Sequence, residues 1–141
     1  MSSNAVRIEL KLEGIEQFER YVLKIIPNGI SNAADEALTE TAEEARDIAK
    51  SLVAVDTGSL QKSIRIEKIA RPAGNIKYVG IRAGGYIINP KTGRYVDYAT
   101  YIEYGNSRTY PRPFMRPALN RAMRNLSGRY WRALARRVEM K

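Results

Sequence analysis

The chain has 141 residues, no cysteine and no histidine, and it carries 24 basic against 15 acidic residues, a net charge of +9. The missing residue types exclude disulfides, zinc sites built from Cys and His, thiol nucleophiles and every histidine-based triad. No apolar run approaches the roughly 20 residues of a membrane-spanning helix, and the start lacks a secretory pattern, so we expect a cytoplasmic origin and no membrane partner.

Apolar and charged residues alternate near the start of the chain, from Val6 to Glu13. A period of two predicts a half-buried strand, which Gly14 ends. Apolar side chains then recur at helical spacing from Ile15 to Ile26 and predict a short amphipathic helix. The sequence Pro27-Asn28-Gly29 ends that helix.

Residues 30–52 predict a long helix, because apolar positions rich in alanine recur every three or four residues. The small side chains allow a neighbouring element to approach closely. Acidic residues fall mostly outside this stripe: Asp35, Glu36, Glu40, Glu43, Glu44 and Asp47. We predict a helix that packs on a sheet rather than a functional acidic face. Val55-Asp56-Thr57-Gly58 ends the helix.

Two further strands are predicted at residues 64–69 and 76–82, with a turn at 71–75 between them. They are expected to form an antiparallel hairpin. Residues 86–96 place two short apolar groups on either side of Asn89-Pro90-Lys91-Thr92-Gly93, which predicts a small protruding β-loop.

The segment Tyr98 to Tyr104 suits either a helical turn or a strand, and we favour a short helix. A proline-rich stretch then leads into a C-terminal helix predicted at residues 113–139, since proline is tolerated in a first turn. Apolar residues cluster on one side of this helix and arginines on the other. Gly128 is its weak point, costing about 1 kcal/mol relative to alanine.

These elements predict an α+β fold, in which a small antiparallel β-sheet is packed by the long alanine-rich helix and the C-terminal amphipathic helix. No internal repeat and no long linker divides the sequence. We therefore expect a single domain over residues 1–141.

Charge is distributed unevenly between the two halves of the chain. Residues 1–70 contain nine Lys or Arg against twelve Asp or Glu, whereas residues 71–141 contain fifteen against three. Such asymmetry indicates a basic surface that faces something acidic. Nucleic acid is one candidate for that partner, and an acidic neighbouring subunit is another.

The sequence Asp56-Thr57-Gly58 could be the catalytic turn of a dimeric aspartic protease, in which two such turns bring two carboxyl groups together. The protease turn lies between strands of a nearly all-β fold, whereas Asp56 follows a long helical pattern. The alternative is a structural turn, in which Asp56 and Thr57 satisfy backbone groups and Gly58 adopts a positive φ. We favour the structural turn.

A nucleic-acid interface is the second alternative. Arginines on one face of the C-terminal helix could follow phosphates, and the tyrosines at 98, 101, 104 and 110 could stack on bases. The chain has no glycine-rich phosphate loop and no helix-turn-helix or RNA-binding signature. Contact with DNA in a channel is therefore a better expectation than sequence-specific binding.

Three segments, taken in order, carry a resemblance to a known family: Val55-Asp56-Thr57-Gly58-Ser59-Leu60-Gln61-Lys62-Ser63-Ile64, Tyr98-Ala99-Thr100-Tyr101-Ile102-Glu103-Tyr104-Gly105, and Pro111-Arg112-Pro113-Phe114-Met115-Arg116-Pro117-Ala118-Leu119. With the predicted elements around them they resemble the HK97 gp10-like family of tailed-bacteriophage head–tail joining, neck or tail-completion proteins. The likeness covers nearly the whole chain. Residues 86–96 form a longer connection than is usual in the family, and the basic tail 129–141 also departs from its pattern.

The resemblance implies a non-enzymatic structural protein with no cofactor and no metal. Such a protein forms a homo-oligomeric ring in the virion neck. During virion assembly it is present in the host cytoplasm. Its expected neighbours are head connector or adaptor proteins and tail terminator or tail tube proteins, with non-specific contact to phage DNA. A ring requires heterologous interfaces that close by rotation.

The functional expectations rest on four groups of residues and on Glu103. Asp56, Thr57 and Gly58 fix a turn, while Phe114, Met115 and Leu119 anchor the last helix in the core. Glu103 either pairs with Arg112 or Arg116 or is exposed. Arginines expected to face protein or DNA are Arg108, Arg112, Arg116, Arg121, Arg124, Arg129, Arg132 and Arg136. Residues expected to form an interface loop are Tyr86, Asn89, Lys91, Arg94 and Tyr95.

Overall fold

A computed structural model of the chain describes residues 5–12, 29–68, 77–85, 87–96 and 98–139. Within these ranges the elements, in chain order, are β1 (Val6–Leu12), α1 (Gly29–Leu52), α2 (Ser59–Ser63), β2 (Arg65–Lys68), β3 (Lys77–Ala83), α3 (Ala99–Tyr104), α4 (Met115–Met123) and α5 (Leu126–Glu139). The predicted helix at 15–26 and the predicted turn at 71–75 lie outside the described residues.

The three strands form one antiparallel sheet with the order β1-β3-β2. The register aligns Ile8 with Ile81 and Ile81 with Ile66 across the sheet. Because side chains alternate along a strand, this register gathers the apolar residues on one face and the charged residues on the other. The predicted antiparallel pairing of the second and third strands is confirmed.

Helix α1 covers the apolar face of the sheet. Its alanines at positions 42, 45 and 49 are fully buried and, with Leu38, join the main core of Leu10, Ile81 and Phe114. Alanine allows the helix backbone to approach the strands closely, and it has the highest intrinsic helix propensity. The α+β fold and the packing of the long helix on the sheet follow the prediction from sequence.

The connection from α1 to the sheet contains a helix that the sequence reasoning missed. Residues 59–63 form α2, where we expected the chain to pass from the turn directly into a strand. Ser63 explains its position, because its buried hydroxyl donates to the Leu60 carbonyl oxygen and accepts the Gly84 N–H at 2.8 Å. The preference for a short helix at 98–104 is confirmed by α3.

The C-terminal region differs from the prediction of one helix over residues 113–139. Two helices are present, and a turn at Arg124 and Asn125 separates them, although Arg124 itself keeps helical φ and ψ. Asn125 side-chain Nδ2 donates to the carboxylate of Glu44 on α1, at 3.2 and 3.3 Å, which holds the break against that helix. No helix within the described ranges is long and apolar enough to cross a membrane.

Candidate functional site

The turn between α1 and α2 is built around a glycine in the left-handed region. Gly58 has φ 81° and ψ −1°, the positive φ that the sequence predicts for it. Thr57 Oγ1 accepts the Ser59 N–H at 3.3 Å, so Thr57 satisfies a backbone group as expected. The side chains of Thr57 and Ser59 are also hydrogen-bonded to each other.

Asp56 does not take part in that turn as expected. Its carboxylate is exposed and accepts a hydrogen bond from Lys91 Nζ at 2.6 Å, which ties the turn to the following loop. The Asp-Thr-Gly sequence lies between two helices, whereas the catalytic turn of an aspartic protease lies between strands. The geometry therefore gives Asp56 a connecting role between two segments of the surface.

Residues 87–96 form the expected β-loop, stabilised by hydrogen bonds within the main chain and from the main chain to the side chains of Asn89 and Thr92. Ile88 and Tyr95 form a β-bridge, and the buried Asn89 caps the tip by accepting the Lys91 N–H through Oδ1. Ile88 and Tyr95 both expose large apolar surface. Asn89 is thus a structural residue rather than a contact residue, and Tyr86 lies outside the described part of the chain.

Glu103 is neither exposed nor paired with an arginine side chain, so both expectations for it are wrong. It is 2% exposed, and its carboxylate accepts backbone N–H groups from Phe114 and Met115 at Oε2 and from Arg116 at Oε1, all within 2.9 Å. These donors are the unpaired N–H groups at the start of α4. A carboxylate at this end also opposes the positive end of the helix dipole.

The predicted anchors of the last helical region lie where the sequence placed them. Phe114 and Met115 are buried in the main core, and Leu119 packs against it while partly buried. Because Glu103 also binds the backbone N–H groups of Phe114 and Met115, the α3–α4 connection is held through both its main chain and its side chains.

Two of the eight arginines expected to face a partner are occupied within the chain. Arg129 contacts Thr41 Oγ1 and forms ion pairs with Glu40 and Glu44. Arg136 and Arg137 both pair with Glu36. The acidic residues of α1 thus meet the arginines of α5. The side chain of Arg129 is only 15% exposed, which corrects its expected partner-facing role, whereas Arg136 is paired but 55% exposed, so its contact with a partner stays a prediction.

These pairs shift the titration of both glutamates. The hydrogen bond from Arg137 is the main reason why the pKa of Glu36 is lowered from its usual 4.5. At Glu44, burial acts to raise the pKa, but hydrogen bonds from Arg129 and Asn125 and the charge of Arg129 outweigh it and the pKa is lowered. Both carboxylates are therefore held in the charged form.

The other six arginines remain on the surface: Arg108, Arg112, Arg116, Arg121, Arg124 and Arg132. Among the described residues none of them forms an ion pair. Arg116 is the only one of the six with an aromatic contact in this part of the chain, since its guanidinium lies 5.1 Å from the centre of the Tyr104 ring. That arrangement is a cation–π contact.

Two concave regions lie beside this basic surface. Residues 104–111 enclose a hollow of about 550 Å³ that is lined by Tyr104, Arg108 and Tyr110 together with small polar side chains. A second hollow of about 410 Å³ lies between the α1–α2 turn, the β-loop and α3, with Val55 and Arg112 in its lining. Neither holds a cluster of acidic groups, and no set of three possible metal ligands occurs in the described ranges.

Sequence reasoning missed the Glu103 cap and the pairing of α1 with α5. The pairing of α1 with α5 could have been found from the sequence. Glu36, Glu40 and Glu44 share one helix face, and Arg129 and Arg136 are seven residues apart, which also places them on one helix face. The Glu103 cap had no local sequence signal, because an irregular loop separates the Glu103 carboxylate from the N–H groups that it binds at the start of α4.

One family model matches the chain over residues 16–105, more than half of its length, and its description is "Bacteriophage HK97-gp10, putative tail-component". No curated protein and no solved structure shows significant similarity to the chain. The matched range includes the α1–α2 turn, the strands β2 and β3, the β-loop and α3, whereas β1 lies before it.

Proposed function

The chain belongs to the HK97 gp10-like family of bacteriophage tail components, and from this we propose that it is a structural protein of the virion neck. It assembles there as a homo-oligomeric ring that joins the head connector to the tail. The observation that carries the proposal is the family match over residues 16–105. The protein acts by assembly and performs no chemistry.

The β-loop and the turn beside it supply a surface suited to a neighbouring subunit. Val55 and Ile88 are 61% and 57% exposed, and Tyr95 lies opposite Ile88 in the bridge. The Lys91–Asp56 ion pair connects their two segments. We name Val55, Ile88 and Tyr95 the apolar patch. Exposed apolar side chains of this size are typical of sites of protein association.

A ring also needs a second surface on each subunit, since contacts between identical subunits around a ring join two different patches. Axial neighbours on the two sides are connector or adaptor proteins and tail terminator or tail tube proteins. The ring forms from subunits present in the host cytoplasm and then becomes part of the virion.

The direct test combines particle mass with assembly in vivo. We expect purified protein, alone or mixed with its connector, to form closed rings with a central hole in negative-stain images. We also expect phage made without the protein to yield heads and tails that fail to join. Normal tail attachment in its absence would overturn the proposal.

The proposal that the protein has no catalytic activity is tested at the Asp56-Thr57-Gly58 turn. Asp56→Asn keeps the size of the side chain and removes its charge. We expect this variant to assemble nearly as well as the wild type, whereas an aspartic protease would lose all activity. Peptide cleavage by the wild type that Asp56→Asn abolishes would contradict a purely structural role.

A further inference from the structure

The region from Tyr104 to Val138 has an unusual charge composition. It contains nine arginines, no lysine and no acidic residue. Arg129, Arg136 and Arg137 pair with α1, as described above. The carboxylate that precedes the region, Glu103, is buried and binds backbone N–H groups. The six remaining arginines therefore present positive charge that no carboxylate on the described surface neutralises.

Three polar side chains of α4 form a row that faces solvent. Arg116, Asn120 and Arg124 are exposed and lie four residues apart, so successive members are separated by about 6 Å along the helix. Arg124 keeps helical φ and ψ at the end of α4, so it stays in line with the other two. The row begins at the Tyr104 ring, over which Arg116 lies.

The hollow at 104–111 continues this row with aromatic surface. Tyr110 is 90% exposed, and Tyr104 is about half exposed on the same rim, with Arg108 between them in the lining. A large aromatic ring at this exposure offers a face to an incoming planar group. Aromatic and cationic side chains therefore alternate along one continuous stretch of surface.

The backbone of the hollow has a fixed shape before any ligand arrives. Asn106 Oδ1 accepts the N–H groups of Arg108 and Thr109, and its own N–H donates to the Thr109 carbonyl. Gly105 has φ 73°, and a Cβ there would lie 2.8 Å from Pro111 and the Thr109 oxygen. Only glycine fits this position, and the hydrogen bonds of Asn106 close the loop that follows it.

We propose that Tyr104, Arg108, Tyr110, Arg116, Asn120 and Arg124, here called the Tyr–Arg surface, bind a single strand of nucleic acid. The arginines and Asn120 contact successive phosphates, and unpaired bases stack on the two tyrosine rings. Arginine forms two parallel hydrogen bonds to a phosphate, and base–aromatic stacking occurs without regard to sequence. An acidic protein surface would use the arginines but would leave the Tyr110 ring, which is 90% exposed, without a matching planar partner.

The experiment measures binding of a fluorescent single-stranded oligonucleotide to the purified full chain between about 50 and 200 mM salt. Replacing three arginines in R108Q/R116Q/R124Q should lower the slope of log affinity against log salt by about 2, since each phosphate contact contributes about 0.7 for single strands. The control R46Q/K62Q/R94Q removes the same charge from other elements. This control should retain more of the wild-type salt slope than R108Q/R116Q/R124Q does. Equal loss in both variants would overturn the site, because net charge alone would then explain binding.

Stacking is tested separately at the most exposed ring. Tyr110→Ala should weaken single-strand binding by about fivefold or more while leaving the salt slope unchanged, and Tyr110→Phe should bind like the wild type. A duplex of equal length should bind more weakly, because its bases are unavailable for stacking. No effect of Tyr110→Ala, or equally tight binding of polyglutamate, would overturn the proposal and favour an acidic protein partner. These measurements compare variants of the purified chain, so their outcome does not depend on whether the proposed ring forms.

Discussion

At the scale of single residues, Glu103 shows how one side chain can fix the course of the chain. Its two oxygens bind three successive backbone N–H groups at the start of α4, and the site is shielded from solvent. Hydrogen bonds to a charged acceptor are stronger than neutral ones, and a buried donor left unpaired is costly. The carboxylate therefore determines where α4 begins and how the preceding loop is arranged.

Replacing Glu103 with Gln tests this role. The amide has one acceptor oxygen and no charge, so at least one buried N–H would lose its partner. We expect the free energy of unfolding to fall by about 1–3 kcal/mol. Urea denaturation measures the change, and Glu43→Gln on the exposed face of α1 is the control. Equal stability of the two variants would contradict the capping role.

Gly58 supports a prediction of a different kind, about backbone conformation alone. An added Cβ would come no closer than 4.0 Å to Lys62, so space is not limiting. The φ of 81° is unfavourable for a β-branched residue, and Gly58→Val should lose about 1–3 kcal/mol of stability. Gly58→Asn should lose less, because Asn tolerates the left-handed region. Thermal unfolding that ranks Val equal to Asn would show that φ does not limit this position.

At the scale of elements, α1 contributes to two separate clusters. Leu38 and the alanines after it join the main core with the sheet, whereas Ala33 and Ala34 pack with Ala133 and Leu134 of α5. The charged pairs of Glu36 and Glu44 border the second cluster. The N-terminal half of α1 is thus held by α5, through few apolar contacts and several ion pairs.

The ion pairs predict a pH dependence on the acid side. Because the folded-state pKa of Glu36 and of Glu44 is lowered from 4.5, their stabilisation is complete above that value and is lost as the pH falls through the folded pKa. E36Q/E44Q should be less stable than the wild type at neutral pH and should lose less stability on acidification. Thermal unfolding at several pH values tests this, and parallel curves for the two proteins would contradict it.

Helix α5 contains a glycine whose backbone conformation any residue could adopt. Gly128 lies in a helical turn, and a Cβ added there would meet no other atom within 4 Å. Gly128→Ala should therefore raise stability by about 0.5–1 kcal/mol. Gly93→Ala is the matched control, because that site is equally open but has φ 68°, and the same substitution should lower stability there. An increase at both positions in thermal unfolding would show that helix propensity is not the cause.

At the scale of the whole molecule, two of the exposed surfaces formed by the described residues differ in chemistry. The apolar patch lies on the α1–α2 turn and the β-loop, and the Tyr–Arg surface lies on α3, α4 and the loop between them. The positive charge of the C-terminal half is partly neutralised where arginines of α5 pair with glutamates of α1. On α4 the positive charge is not neutralised by a described carboxylate. Under the two proposals above, the apolar patch would contact a neighbouring subunit and the Tyr–Arg surface would contact a nucleic acid strand.

The apolar patch gives the prediction at this scale. Ile88→Asp places a charge at the exposed side of the β-bridge, where a neighbouring subunit would bury it without a partner. We expect loss of ring formation with little change in melting temperature, since Ile88 is largely exposed in the single chain. Ile88→Val should still assemble. Light scattering and electron microscopy measure both variants, and rings formed by Ile88→Asp would exclude the patch from the subunit interface.

The sequence predicted most elements, because the periodicity of their side chains is a local property. Val6 to Leu12, the long helix and the hairpin strands all followed from spacing of two or of three to four residues. The prediction of a single C-terminal helix was wrong. The turn that divides it contacts Glu44 through Asn125, and Glu44 lies far away in sequence. The candidate site was predicted as a set of arginines, without distinguishing those that pair internally.

By itself the sequence determined three things. Its residue types exclude cysteine and histidine chemistry, its periodicity identifies the main elements, and its turn pattern predicts the positive φ of Gly58. Each of these depends on one residue or on neighbours within a few positions. Only the tertiary structure decided which arginines remain on the surface, and that Glu103 binds the start of α4. Those outcomes depend on which distant groups lie within hydrogen-bonding distance, and a linear pattern does not contain that information.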